Sequence, residues 1–153
     1  MFYLAVVAEA PEPSKLDPVG ALGVDLGVVN LATDSDGEDH TGKKVDTVRG
    51  KMSKLRSSLQ KKDTRSAKRH LKRLSGRESR FVRNVNHCIS KRIVAKAKDS
   101  HRAIGLEDLR HIRSRGKRFR KAQRSCQSSW SFGQLRAFIE YKSALAGVPV
   151  VFV

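Results

Sequence analysis

Positive charge is distributed very unevenly along this sequence. The 153 residues include 32 Lys or Arg and 15 Asp or Glu, which gives a net charge of +17. Residues 43–124 hold 29 of those cations and only six of the acids. A surface this basic repels itself unless a polyanion lies against it, so its usual partner is nucleic acid. The chain is therefore predicted to be a neutral to acidic α/β scaffold with a strongly basic insertion.

Composition also argues against other classes of partner and site. Membrane-surface helices carry large aromatic-containing apolar faces, but aromatics are only 6% here, and no apolar run approaches the roughly 20 residues of a membrane span. Phe2–Ala8 resembles a signal peptide, but no positive residue precedes it, so a short β-strand is predicted.

Cys88 and Cys126 belong to no CxxC pair. We therefore expect reduced thiols, a cytoplasmic protein and no zinc site.

Much of the basic segment has helical periodicity. One apolar stripe on a cationic helix consists of Met52, Leu55, Leu59, Ala67, Leu71 and Leu74. Ser75-Gly76 ends this helix, and a second helix over residues 78–98 carries the stripe Val82, Val85, Ile89 and Ile93. Two helices joined by a short Gly-containing turn predict an antiparallel hairpin with facing apolar seams. The helical insertion is predicted to span residues 49–98.

The cations of this segment are predicted to bind nucleic acid. A merely solvated hairpin is the alternative, but solvated helices usually mix charges, and residues 49–73 carry eleven basic residues against one acid, Asp63. The predicted contacts in the helices are Arg49, Lys51, Lys54, Arg56, Lys61, Lys62, Arg65, Lys68, Arg69, Lys72 and Arg73. Residues 111–124 lack apolar periodicity and predict a flexible loop that orders on nucleic acid. Its contacts are Arg113, Arg115, Lys117, Arg118, Arg120, Lys121 and Arg124. Phe119 in this loop is equally consistent with base stacking and with core packing.

Outside the basic segment the sequence has the pattern of short strands and one further helix. Ser35-Asp36-Gly37 supplies hairpin-turn chemistry. Strands are predicted over residues 21–27, 30–34, 102–106 and 148–153, with a helix near residues 131–146. A β-hairpin, then helices, then strand–helix–strand predicts an α/β fold in which helices flank a mixed sheet.

Two carboxylates stand out because of their places in these strands. Asp25 follows mostly apolar residues within a strand, and Glu107 lies where the strand at residues 103–106 ends. Carboxylates are rarely tolerated there unless they are paired or bound to a metal. If the strands are neighbours, the two side chains suit Mg²⁺ or Mn²⁺, ions that promote phosphodiester hydrolysis. The alternative is that Asp25 begins a turn and Glu107 caps the following helix.

Four motifs, in order, resemble those of the TnpB (OrfB) proteins of IS200/IS605-type transposons. The segment GVDLGVVNLA at residues 23–32 is similar to their first RuvC motif, and IGLEDL at residues 104–109 to their second. NHCISKRIV at residues 86–94 and WSFGQL at residues 130–135, followed by EYK at residues 140–142, also fit the family. The resemblance covers residues 20–153.

The resemblance implies an RNase H-like (RuvC) fold and the function of an RNA-guided DNA endonuclease. It implies catalytic metal-ligand roles for Asp25 and Glu107, Mg²⁺ or Mn²⁺ as the cofactor, and DNA and a guide RNA as partners. Family members begin with recognition regions, of which residues 1–10 are predicted to be a remnant strand. They continue into a zinc-binding CxxC pair and a third catalytic aspartate, which this chain lacks. Residues 20–153 are therefore predicted to be a truncated nuclease domain, inactive alone, and the alternative is a non-catalytic nucleic-acid-binding module.

Other residues of these motifs are assigned packing roles. His87 is predicted to lie inside a helix, and Trp130 and Tyr141 are interpreted as core residues rather than base-stacking platforms. Glu140 is conceivable as a third ligand, but it lies in a family motif that we interpret as structural. A ribosomal or chromatin-like protein would explain the charge but not the carboxylates at two strand positions. A truncated sheet would also expose an edge prone to self-association.

Overall fold

The computed structural model describes residues 13–108 and 132–153. The predicted strand at residues 2–8, the cationic loop at residues 111–124, Cys126 and Trp130 lie outside these ranges. In chain order the elements are β1 (Ala21–Asp25), β2 (Asn30–Asp34), β3 (Asp39–Thr41), α1 (Lys43–Lys62), α2 (Arg65–Leu74), α3 (Arg77–Asp99), β4 (Ala103–Leu106), α4 (Phe132–Ala146) and β5 (Val150–Phe152). Within the described ranges, none of the helices combines the length and the apolar character that a bilayer crossing requires.

The strands form one five-stranded mixed sheet in the order β3-β2-β1-β4-β5. The first three strands pair antiparallel, whereas β4 pairs parallel to β1 and β5 pairs parallel to β4. Gly37 closes the β2–β3 turn with a φ of 86°, a region that glycine enters without strain. Because β1, β4 and β5 run in the same direction, their carboxyl ends meet at one edge of the sheet. The predicted α/β class with a mixed sheet flanked by helices is confirmed.

The main core lies between one face of this sheet and the helices α3 and α4. Leu22 of β1 and Ile104 of β4 are fully buried, and they belong to the same cluster as Ile93 of α3 and Ile139 of α4. In β1 the residues alternate between buried and exposed or half-buried positions, as expected for a strand covered on one face. This packing leaves the opposite face of β1 and β4 for the candidate site.

The predicted long helix is two helices. It is interrupted at Asp63, whose φ of 44° is left-handed, and Thr64 caps α2 by accepting a hydrogen bond from the N–H of Ala67 at 3.1 Å. The predicted apolar stripe therefore folds back on itself. Leu59, Ala67 and Leu74 form a second small core, against which Met52, Leu55 and Leu71 pack.

The hairpin thus differs from the prediction in where the chain reverses. The reversal is at Asp63-Thr64, between α1 and α2, and the prediction that it lies at Ser75-Gly76 is wrong. The second predicted stripe does not face the first, because Val82, Ile89 and Ile93 of α3 lie in the main core. The basic hairpin consequently has its own small core, and it is attached to the domain through α3 and through Val45 of α1, which lies in the main core.

Candidate metal and nucleic-acid-binding site

Asp25 and Glu107 lie at the carboxyl ends of two neighbouring strands. Val24 lies opposite Leu106 in the parallel pairing of β1 with β4. Asp25 and Glu107 are the next residues along these strands, which are spaced about 4.8 Å apart, so a continuation of the same register would set them opposite each other. Each carboxylate follows a buried residue and is itself exposed, so strand alternation directs both away from the main core. The structure therefore fulfils the condition that the two strands are neighbours.

Glycine forms the sheet surface beside these carboxylates. Gly23 and Gly105, which lie opposite each other in the register, precede Asp25 and Glu107 by two residues and share their face. A Cβ atom at Gly105 would lie 3.8 Å from the Cα of Gly23, and one at Gly23 would lie 3.7 Å from the Cβ of Ser35. These are ordinary contact distances, so glycine is not required by crowding. Its effect is to leave β1 and β4 without side chains at the two positions that precede the carboxylates on this face, while Thr33 of β2 lies opposite Asp25.

Asp25 and Glu107 offer part of the set of oxygen ligands that a hard divalent cation requires. Carboxylate oxygens are the ligands that Mg²⁺ and Mn²⁺ prefer, and Asp25 and Glu107 supply them from neighbouring strand ends. Across residues 13–108 and 132–153, no three His, Cys, Asp or Glu side chains form a metal-binding group. Cys88 is a free, exposed thiol. Asp25 and Glu107 therefore stay candidate ligands, and their metal-binding role stays a prediction.

Arg136 holds the two other carboxylates near this edge. Its Nε donates to Glu140 Oε1 at 2.7 Å and its Nη1 to Asp108 Oδ1 at 3.1 Å. These contacts, led by the one to Glu140, raise the pKa of Arg136. Its guanidinium carbon also lies 4.1 Å from the centroid of the Phe152 ring. Arg136 therefore ties α4 to the ends of β4 and β5 beside Glu107, and Glu140 has a structural partner, in line with its predicted role.

A second group of acids lies in the β2–β3 turn and is fully engaged with cations. Lys96 donates to the buried Asp34 and lies 3.2 Å from Asp36 and 3.4 Å from Glu38. Burial raises the pKa of Asp34, but hydrogen bonds from Lys96 and from two backbone N–H groups outweigh it and lower the pKa. Hydrogen bonds from Arg102 lower the pKa of Asp36. This network fastens the turn to α3 and to the start of β4.

The predicted nucleic-acid-binding residues of the helices fall into two groups. Arg49 and Arg56 face α3, where Arg56 Nη2 donates to Glu78 Oε2 at 2.6 Å and Arg49 Nε lies 3.7 Å from Glu78 Oε1. These two arginines hold the hairpin to the domain. Lys68 lies 2.9 Å from Asp63 on the surface. The other predicted contacts on α1 and α2 are exposed: Lys51, Lys54, Lys61, Lys62, Arg65, Arg69, Lys72 and Arg73.

Serines accompany these exposed cations in two shallow concave surfaces, a feature that sequence reasoning missed. One, on α1, is lined by Ser53, Lys54, Ser57, Ser58, Lys61 and Lys62. The other, on α2, is lined by Ser66, Arg69, His70 and Arg73. The spacing of three, four and seven residues on α2 is visible in the sequence, but Ser66 and His70 carry no fixed positive charge that would mark them as contacts.

The packing roles predicted at the α3–α4 contact are borne out for His87. Its ring stacks on Phe138 with centroids 3.9 Å apart, and its carbonyl accepts a hydrogen bond from Lys142 Nζ at 2.6 Å. Burial lowers the pKa of Lys142, which also donates to Ser90 Oγ at 2.7 Å. Tyr141 packs edge-on against Phe138 but is 42% exposed. It therefore lies at the rim, and its assignment to the core is wrong.

Comparison with known proteins gives relatives that are much longer than this chain. A TnpB-like protein of Methanocaldococcus jannaschii is 34% identical over 113 residues, which cover 72% of this chain and 41% of that protein. The CRISPR-associated endodeoxyribonuclease Cas12f2 of Micrarchaeota archaeon is 26% identical over 164 residues, covering 99% of this chain and 30% of that protein. The chain thus spans less than half the length of either relative.

The fold has a counterpart among solved structures. A chain in the cryo-EM structure of a Cas12f1–sgRNA–target DNA complex superposes with a TM-score of 0.64 and 16% identity, over 95% of this chain and 37% of that chain. This likeness supports the RNase H-like fold. The model of the OrfB_IS605 family, described as a probable transposase, matches residues 5–110. That match includes both carboxylate-bearing strands and the basic hairpin, so this chain belongs to the OrfB_IS605 family of probable transposases, as its TnpB-like motifs predicted.

Proposed function

We propose that this chain is the RuvC-like part of an RNA-guided DNA endonuclease, in which Asp25 and Glu107 hold Mg²⁺ or Mn²⁺. The proposal is supported by the register of β1 and β4, in which Gly23 lies opposite Gly105 and Val24 lies opposite Leu106, directly before the two carboxylates. The names of the relatives add support, because one is an endodeoxyribonuclease and another was solved with a single guide RNA and target DNA.

Each part of the chain has a separate task in this proposal. A divalent ion at the carboxylates would activate water and neutralise the leaving oxygen during phosphodiester hydrolysis. Gly23 and Gly105 leave room for a nucleic-acid strand to approach the sheet. Arg136 positions the end of β4, and therefore Glu107, through its contact with Asp108. The exposed cations of α1 and α2 bind phosphates and hold the strand against the domain.

We further propose that the 153-residue polypeptide binds nucleic acid without cutting it. Two carboxylates give a single ion few protein ligands and leave a second ion without its own. Paired ions, which clamp the attacking and leaving oxygens, are the more effective arrangement for this chemistry. The chain would then acquire activity only when a further ligand is supplied.

A cleavage assay tests the catalytic part of this proposal. Labelled single-stranded DNA is incubated with Mg²⁺ or Mn²⁺ and with wild type or Asp25→Ala. We expect no cleavage by either protein and retained binding by both. Cleavage that disappears in Asp25→Ala would contradict the proposed inactivity and would show that a further ligand comes from the chain itself.

A metal titration tests the site independently of activity. In the absence of nucleic acid, wild-type protein is titrated with Mn²⁺ and the free ion is followed by its EPR signal. Asp25→Asn and Glu107→Gln should each weaken binding at least tenfold. Asp17→Asn, which removes the same charge from an exposed position before β1, should leave it unchanged. Equal losses in all three variants would mean that Mn²⁺ responds only to net charge and that the site is not there.

The second candidate is a nucleic-acid-binding module with no catalytic role. The exposed cations of the hairpin favour it, because they do not depend on the carboxylates. It predicts that log K falls steeply with log salt in both wild type and Asp25→Asn, and that the Mn²⁺ titration finds no site. Nucleic-acid binding that barely changes between low and moderate salt would count against both candidates.

A further inference from the structure

The outer side of α2 carries a concave surface whose serine and histidine have no assigned role. Ser66, Arg69, His70 and Arg73 line it together. Their spacing of three, four and seven residues places them on one face of the helix. All four are exposed, whereas the opposing side of α2 buries Ala67 and Leu74 in the hairpin core. The four polar groups are therefore presented outward by a helix whose orientation is fixed by packing.

This face of α2 contains donors without an acid to balance them. The helix has no Asp or Glu among its ten residues. The preceding acid, Asp63, lies 2.9 Å from Lys68, which is not one of the lining residues. Arg69 and Arg73 lie one helical turn apart, and like charges at that spacing repel each other and destabilise a helix. An anion seated between them would remove this repulsion.

We propose that Ser66, Arg69, His70 and Arg73 form a discrete phosphate-binding site. Each guanidinium can donate two parallel N–H bonds to phosphate oxygens. The Ser66 hydroxyl and a ring N–H of His70 supply further donors. The ligand is a phosphodiester of a polynucleotide backbone. This inference rests on the nucleic-acid binding proposed above and deepens it, because it concentrates the hairpin's contact at one place instead of spreading it over every exposed cation.

Two matched double variants test the site. Arg69→Ala with Arg73→Ala removes two charges from the site, and Arg65→Ala with Lys72→Ala removes two charges from the rest of the same helix. Each phosphate contact contributes about 0.7 to the salt slope for a single strand, so losing the one phosphate held between the two arginines should lower the slope by about 0.7. We expect this loss, with at least a tenfold weaker affinity, for the first pair and less than half of it for the second. Fluorescence anisotropy of a labelled single-stranded oligonucleotide measures both quantities, with circular dichroism to verify that helix content is unchanged.

A third variant and competition by inorganic phosphate distinguish specific phosphate recognition from attraction by net positive charge. Ser66→Ala with His70→Ala should weaken oligonucleotide binding about threefold or more while leaving the salt slope nearly unchanged. At constant ionic strength, inorganic phosphate replacing chloride should displace the oligonucleotide more readily from wild type than from the Arg69/Arg73 variant. Equal displacement from both proteins would overturn the site.

The outcomes separate this inference from the proposed function. One outcome is that wild type binds with a steep salt dependence while the Arg69/Arg73 and Arg65/Lys72 double variants lose affinity equally. In that case the discrete site is wrong, and the basic hairpin is a diffuse contact. If inorganic phosphate binds wild type and not the Arg69/Arg73 variant, while oligonucleotide affinity is the same for both, the polynucleotide ligand is wrong. If wild type shows no salt-dependent binding of the oligonucleotide, the proposed function fails together with this inference.

Discussion

Leu59→Ala tests whether the basic hairpin has a stability of its own. Leu59 is 8% exposed and packs with Ala67 and Leu74 in the small core between α1 and α2. The substitution removes three carbon atoms, each worth about 0.8 kcal/mol when buried, or about 2.4 kcal/mol in all. The cavity contribution should be small because the site is near the surface and can relax. A local loss of about 2.4 kcal/mol corresponds to roughly sixtyfold more frequent opening of the hairpin, since 1.4 kcal/mol is a factor of ten.

Native-state amide hydrogen exchange, resolved by peptide, is the assay for this prediction. Exchange should accelerate in α2 and in α1 from Met52 onward and remain unchanged in β1 and β4, because Leu59 belongs to a cluster separate from the main core. Ile93→Ala, made at a position 1% exposed in the main core, is the matched control and should accelerate exchange throughout the domain. Equal acceleration in β1 and β4 caused by Leu59→Ala would refute the idea that the two cores unfold separately.

Three further substitutions test contacts that fix the hairpin and the β2–β3 turn. The lowered pKa of Asp34 means that its ionised form stabilises the fold above its unfolded pKa of about 3.9, and that this stability is lost as pH falls through the lower folded value. Asp34→Asn, which leaves Lys96 in place, should therefore flatten the fall of the urea midpoint between about pH 5 and pH 2, and an unchanged pH profile would contradict this. Glu78→Gln should reduce the free energy of unfolding, measured in urea, by about 1 kcal/mol, because it removes a partly exposed ion pair with Arg56. It should also tighten oligonucleotide binding, because Arg56 becomes available for phosphate. Weaker oligonucleotide binding would contradict the role of Glu78 in holding Arg56. Thr64→Ala should cost about 1 kcal/mol of local stability in α2 by exchange, whereas Thr64→Ser should be nearly neutral, so equal effects would exclude the cap.

The sequence predicted the elements of the scaffold better than the path of the basic hairpin. The apolar stripe misled because Leu59 and Ala67 are eight residues apart, a separation that stays in phase with a continuous helix. Periodicity alone could not distinguish an unbroken helix from two helices that fold together. The distinguishing signal was chemical: Asp63 and Thr64 are residues that favour a left-handed turn and an N-cap. Ser75-Gly76 appeared to be the stronger break, but it separates α2 from α3 without setting the hairpin.

The carboxylates at the strand ends could be predicted from the sequence, whereas the ion pairs between residues distant in the sequence could not. Asp25 and Glu107 could be selected because each breaks or ends an apolar run, although only the structure shows that their strands are neighbours and pair in parallel. The contact of Lys96 with Asp34 joins residues 62 positions apart. The contact of Arg136 with Asp108 likewise spans 28 positions. Neither contact could be predicted from a local sequence pattern, because a charged residue on a helix surface can face solvent as readily as it can contact a distant partner.

The exposed cations of the hairpin and the carboxylates of the candidate site lie on different elements of the fold. Two carboxylates on one face repel a phosphodiester, so that edge of the sheet cannot supply affinity until cations neutralise it. On the proposed function, the exposed cations of α1 and α2 supply that affinity, and they lie on a hairpin with its own small core. Were they close to Asp25 and Glu107, they would pair with these residues as Arg136 pairs with Glu140 and Asp108. On the proposed function, keeping the two charges on separate elements would leave the cations for phosphate and the carboxylates for metal, so that loss of cleavage would not by itself remove binding.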